Sequence, residues 1–168
     1  AQESRGLGDV YKRQVLVFSS LISLSFDKGS VPTEKLLPGD KAPQLSLCEG
    51  VQPLNLQADP KGYTLLSFWA SYDAVSRQKN AALAHLAGKY DRVRMISVSF
   101  DRYASVFRAS VRQDGLSDAD CFVETMGSDS EAYQAFGLEE GFQNYLLDSR
   151  GVIVAKNITA AELASYLD

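Results

Sequence analysis

Apolar and polar positions change rhythm along the chain, and each rhythm marks an element. Tyr63 to Trp69, YTLLSFW, is almost wholly apolar or β-favouring, as expected of a central strand covered on both faces. The period then shifts. Val75, Lys79, Ala82, Leu83, Leu86 and Tyr90 recur at helical spacing, with Gly88 near the end, and predict a helix with that face inward. Val93, Met95, Ile96, Val98 and Phe100 form a second buried strand. Tyr103, Val106, Phe107, Ser110 and Val111 mark a second helix, closed by Gly115. Cys121 to Val123 reads as a brief edge strand.

The C-terminal third carries clear punctuation. Ser128-Asp129-Ser130-Glu131 has the form of a capping box and opens a short helix that stops at Gly137. Asn144 to Asp148 and Val152 to Lys156 are two strands joined by the turn Ser149-Arg150-Gly151. Thr159 to Glu162 is a second capping box at the start of a terminal helix. Upstream, Gln44 to Cys48 alternates, Gly50 interrupts it, and Leu54 to Leu56 follows as an N-terminal β-hairpin. Parallel strand–helix units followed by a hairpin and a last helix predict an α/β fold, a three-layer α/β/α sandwich around a central mixed sheet.

The first 36 residues have a different character. Ser4 to Gln14, SRGLGDVYKRQ, resembles the translation of a transposon-type sequencing adaptor, so residues 1–14 are set aside from fold reasoning. Residues 15–26, VLVFSSLISLSF, are fewer than the ~20 apolar residues that span a bilayer. Their length fits the apolar core of a secretory signal, and a strand or helix of the domain is the alternative. Polar residues 27–36 read as a linker, which leaves residues 37–168 as one domain. Export to the periplasm or cell envelope is expected, with membrane anchoring left open.

Composition narrows the chemistry. The chain has 168 residues, of which 45% are hydrophobic, enough for one domain with a real core. A net charge of −4 carries no basic footprint for nucleic acid, and the acidic residues are dispersed. Two cysteines make no disulfide framework, and one histidine leaves no zinc cluster, so neither metal nor cofactor is expected. His85 lies among alanines and reads as a boundary residue, and the glycosylation-type triplet at Asn157 carries little weight in this setting.

Three ordered segments carry a resemblance. GDKAPQLSL (Gly39 to Leu47) is similar to a G-x-x-A-P-x-F-x-L N-terminal strand, with Leu45 replacing the aromatic. LLSFWASYDAVSR (Leu65 to Arg77) is similar to a strand running into F-W-A-S-W-C-x-x-C-R. FGLEEGFQNYLLDSRGVIVAKN (Phe136 to Asn157) is similar to a closing G-V-x-x-x-P-x-x-F-L-I-D-x-x-G-x-I-V segment. Together they resemble the thioredoxin-like fold, and more narrowly the periplasmic TlpA/ResA-type thiol-disulfide oxidoreductases near the AhpC/TSA superfamily.

The resemblance implies an active site that this chain has altered. The group works by thiolate attack on a disulfide, with the first thiol acidified at a helix N-terminus. Asp73 and Ser76 stand at the two cysteine places, Tyr72 replaces a tryptophan, and Phe142 aligns with the cis-proline. A carboxylate cannot exchange disulfides. Phe142 is expected to fill the groove and to take a trans peptide bond.

Each remaining candidate has a structural and a functional reading. Asp73 suits an N-cap, worth about 0.5–2 kcal/mol; a catalytic role needs a base or metal that no spacing supplies. Ser76 reads as a first-turn residue and Arg77 as a solvated one. Trp69, Tyr72, Asp73 and Phe142 form a candidate binding groove, whose alternative is a core Trp69 beside a half-exposed Tyr72. Cys48 and Cys121 lie on different strands, so geometry decides whether they form a disulfide. The expected function is a redox-inactive binding or scaffold module with a protein or peptide partner. The alternative is a thiol-disulfide oxidoreductase or peroxidase-like enzyme using Cys48, Cys121 or partner thiols. A peroxiredoxin is disfavoured, because no cysteine falls between Gly50 and Phe100.

Overall fold

The computed structural model describes residues 35–57 and 62–168. The expectations for residues 1–26, and nearly all of the linker, lie outside the described residues. Among the described residues, five strands and four α-helices follow in the order β1 (Tyr63–Trp69), α1 (Ala74–Ala87), β2 (Val93–Ser99), α2 (Ala104–Gln113), β3 (Cys121–Val123), α3 (Glu131–Ala135), β4 (Asn144–Leu147), β5 (Ile153–Lys156) and α4 (Ala160–Leu167). One mixed sheet has the order β3-β2-β1-β4-β5. The pairs β1–β2 and β2–β3 are parallel, and β1–β4 and β4–β5 are antiparallel.

Strand alternation divides the core between the two faces. From β1, Leu66 and Phe68 join Ile96, Val98, Phe136 and Tyr145 beneath α3 and the N-terminal segment. Leu65 points the other way, to Leu83 of α1 and to Leu163 and Leu167 of α4. Trp69, on that same second face, meets Phe107 and Val111 of α2. Burial on both faces explains why β1 carries no charged position. The predicted β4–β5 turn closes through Gly151, whose φ of +77° disfavours a side chain. The predicted capping box at Thr159 is present in full.

Three local expectations change. The N-terminal hairpin reduces to one antiparallel bridge, Leu45 to Leu54, with Lys41 bridged separately to Val152. The cap of α3 is Ser130, not Ser128. Its hydroxyl accepts from the Tyr133 N–H at 3.2 Å, while residues 127–129 form a 3₁₀ turn. Helix α1 turns Ser76, Asn80, Leu83 and Ala87 inward and leaves Val75 exposed. The apolar pattern misplaced that face because two inward positions are polar and find partners inside.

Candidate functional site

The parallel strands β1 and β2 end side by side, at the edge where open α/β sheets place ligands. Trp69 closes β1 and is fully buried. Its Nε1 donates to Ser97 Oγ at 2.8 Å, and Ser97 Oγ donates to Asn80 Oδ1 at 3.0 Å. The second bond satisfies Asn80 Oδ1 on the inward face of α1, while the buried Asn80 Nδ2 has no partner. The two bonds also correct the expectation for Trp69, which is core and offers nothing to a ligand.

Asp73 is the N-cap of α1, with extended φ and ψ of −100° and 96°. Its Oδ1 accepts from the Val75 N–H at 3.3 Å, and its carbonyl accepts from Arg77 N and from Ser76 Oγ. Ser76 is buried and accepts from the Ala70 N–H at 3.4 Å. Asp73 and Ser76 therefore both hold the turn to the helix. Arg77 is not simply solvated. It grips both oxygens of Asp114 at 2.8 and 2.7 Å, tying α1 to the end of α2, and this hydrogen bonding raises it further above its ordinary value. His85 sits nearby, with Nε2 at 3.0 Å from the Asp114 carbonyl.

The residue that organises the junction is one that sequence reasoning missed. Asp101, just past β2, accepts from the Ser71 N–H at 2.9 Å and from the Ser71 and Ser99 hydroxyls at 2.6 Å each. The Ser71 hydroxyl also meets Ser110 of α2 at 2.7 Å. Glu124, at the end of β3, accepts from the backbone N–H groups of Cys48 and Met126 at 2.8 and 2.9 Å. An acidic residue after a strand is ordinary loop chemistry, so no sequence pattern singles out either one.

Aromatic rings fill the other side of the junction. Phe142 is half-buried and stacks on Phe100 at 5.7 Å, and Tyr72 lies 6.3 Å from Phe142. No cis peptide occurs among the described residues, so the bond at Phe142 is trans. Tyr72 stays largely exposed. Partial burial pushes its hydroxyl above the ordinary value, with help from the charges of Asp101 and Asp73. An open cleft of about 770 Å³ lies beside Tyr72, Phe100 and Asp101; Trp69, Asp73 and Phe142 do not line it.

Both cysteines are free. Cys48 is exposed, with Sγ 3.4 Å from the Thr125 hydroxyl. Cys121 is half-buried on the edge strand. Burial pushes its thiol up, Asp118 and Asp120 add to this, and a hydrogen bond with Ser97 opposes it. Neither lies at a helix N-terminus. No cluster of three or more His, Cys, Asp or Glu suited to a metal occurs among the described residues.

No protein-family model matches the sequence, and no curated protein matches it. Solved structures do. A thioredoxin-like protein from Parabacteroides distasonis is 37% identical, with 79% of this chain and 96% of that chain covered, and a TM-score of 0.72. A thiol-disulfide oxidoreductase from Bacteroides fragilis is 27% identical, with 76% and 100% covered and a TM-score of 0.62. A thiol:disulfide interchange protein from a Bacteroides species, 19% identical with 78% and 88% covered and a TM-score of 0.63, shares the fold. The chain belongs to the thioredoxin-like family and carries its TlpA/ResA-type fold.

Proposed function

We propose that this domain is a redox-inactive member of its family, a binding or scaffold module of the bacterial cell envelope with a protein or peptide partner. One observation carries the reading: Asp73 and Ser76, at the two thiol places, are both taken up in starting α1. Thiol exchange needs a thiolate at such a helix start. Phe142 supports the same reading, since its ring stacks where the family keeps its substrate groove. The apolar run Val15 to Phe26 supports export. Among the described residues, no helix is long and apolar enough to cross a membrane.

The second reading, a thiol-disulfide oxidoreductase, draws on the activity named for the Bacteroides fragilis structure. It would have to use Cys48, Cys121 or a partner's thiols. The upward shift of the Cys121 thiol works against it, because the thiolate is the nucleophile. Insulin reduction by dithiothreitol and peroxide consumption separate the two. The purified domain is expected to show no turnover above background. Turnover that disappears in Cys48→Ala or Cys121→Ala would establish the oxidoreductase instead. Restoring both thiols, Asp73→Cys with Ser76→Cys, is expected to leave a poor reductase while Phe142 fills the groove.

A further inference from the structure

Two carboxyl side chains behind the junction are buried without a cation. Asp101 is 2% exposed and Glu124 is 1% exposed. None of the ion pairs among the described residues includes either of them, nor Asp73 or Asp129. Hydrogen bonds orient a buried carboxylate, but its desolvation is best offset by an opposite charge as well.

The open cleft lies against Asp101, while Glu124 does not line it. It runs between the turn after β1, the loop after β2 and the segment after β3, and Asp101 and Asp129 both line it. Its rim is aromatic and apolar, and turned to water: Tyr72 is 74% exposed, Tyr103 62% and Met126 56%. Apolar side chains gathered in this way mark an interaction surface more often than scattered ones do. The wall already accommodates a guanidinium. Arg102 holds its own 5.8 Å over the Tyr103 ring, yet forms no ion pair with a neighbouring carboxylate.

We propose that this cleft binds an extended polypeptide segment through an arginine side chain. The guanidinium lies against Tyr72 and Tyr103 and faces Asp101 and Asp129, and apolar neighbours in the segment cover Val106 and Met126. Arginine suits the site better than lysine, because its planar group stacks on aromatic rings and sheds water more readily. This inference deepens the binding-module reading and rests on it. It moves the contact surface away from Phe142, toward the loop after β2.

The test is selection of a phage-displayed library of random dodecapeptides on the immobilised full chain. Enriched peptides are expected to share an arginine at one fixed position beside leucine, methionine or aromatic residues. In fluorescence anisotropy with a synthetic winner, replacing that arginine by glutamine should weaken binding about tenfold, between the scales of an exposed and a desolvated cation–π contact. Tyr103→Ala and Asp129→Asn, both at exposed positions, should each remove most of the arginine preference without shifting the melting temperature. No enrichment, winners lacking a cation, or winners indifferent to both substitutions would overturn the proposal. Spermidine displacing the probe as effectively as unlabelled peptide would overturn its polypeptide part. Insulin reductase activity, by contrast, would sink the redox-inactive reading and leave a measured arginine preference standing.

Discussion

Helices α1 and α4 cover the same face of the sheet, and each begins with a polar side chain capping its first turn. At α4 the start is local. Thr159 Oγ1 accepts from the Glu162 N–H, and the Glu162 carboxylate accepts from the Thr159 N–H and hydroxyl within four consecutive residues. Its inward positions, Leu163 and Leu167, are apolar. At α1 the cap itself is one bond of 3.3 Å, and the rest comes from elsewhere: Ser76 to Ala70, Ser71 to Asp101, Asn80 to Ser97. One helix start is held by its own residues, the other by a polar network spread over β2 and α2. The difference shows how α1 stands where it does with no thiol at its start.

This contrast can be broken in a definite order. Asp101→Ala strips the acceptor from the Ser71 N–H and from two hydroxyls, so it should cost about 3 kcal/mol, read from the urea midpoint at unchanged slope. A loss below about 1 kcal/mol would mean that the network is ornamental to the start of α1. Thr159→Ala should cost about 1 kcal/mol, the ordinary value of a cap. Asp73→Ala should cost about 0.5 kcal/mol, at the weak end of capping, because its bond is long and tertiary contacts hold the turn. Equal losses at Thr159 and Asp73 would erase the distinction.

The smallest effect tests the sign of the α4 electrostatics. The Thr159 N–H and hydroxyl hold the Glu162 carboxyl below its ordinary value, with Lys79 adding a little. A carboxyl depressed in the fold stabilises it above its unfolded pKa, about 4.3, and loses that contribution as pH falls through the lower folded value. Glu162→Gln should therefore flatten the acid limb of a melting-temperature profile and leave the rest of its shape unchanged. An unaltered acid limb would show that the box works by geometry without charge.

Much of the fold was legible because it rests on local rhythm. The runs Tyr63–Trp69 and Val93–Ser99, the β4–β5 hairpin and the Thr159 box all follow from spacing and turn chemistry within a few residues. Asp73 as a cap was legible for the same reason. The inward face of α1 was not, because Ser76 and Asn80 are polar and pattern reading sends polar residues outward. Trp69 and Tyr72, read together as a groove, separate completely: one is core and the other stands in water.

The sequence by itself determined the layer order, the strands buried on both faces, the family likeness and the absence of thiols at the start of α1. Tertiary structure decided the site. Ser71 meets Asp101 thirty positions away and Ser110 thirty-nine away, while Glu124 reaches back seventy-six to Cys48. Periodicity reports only what neighbours along the chain share. Whether a buried carboxyl is satisfied, and whether it faces an open cleft, depends on groups that only the folded sheet brings together.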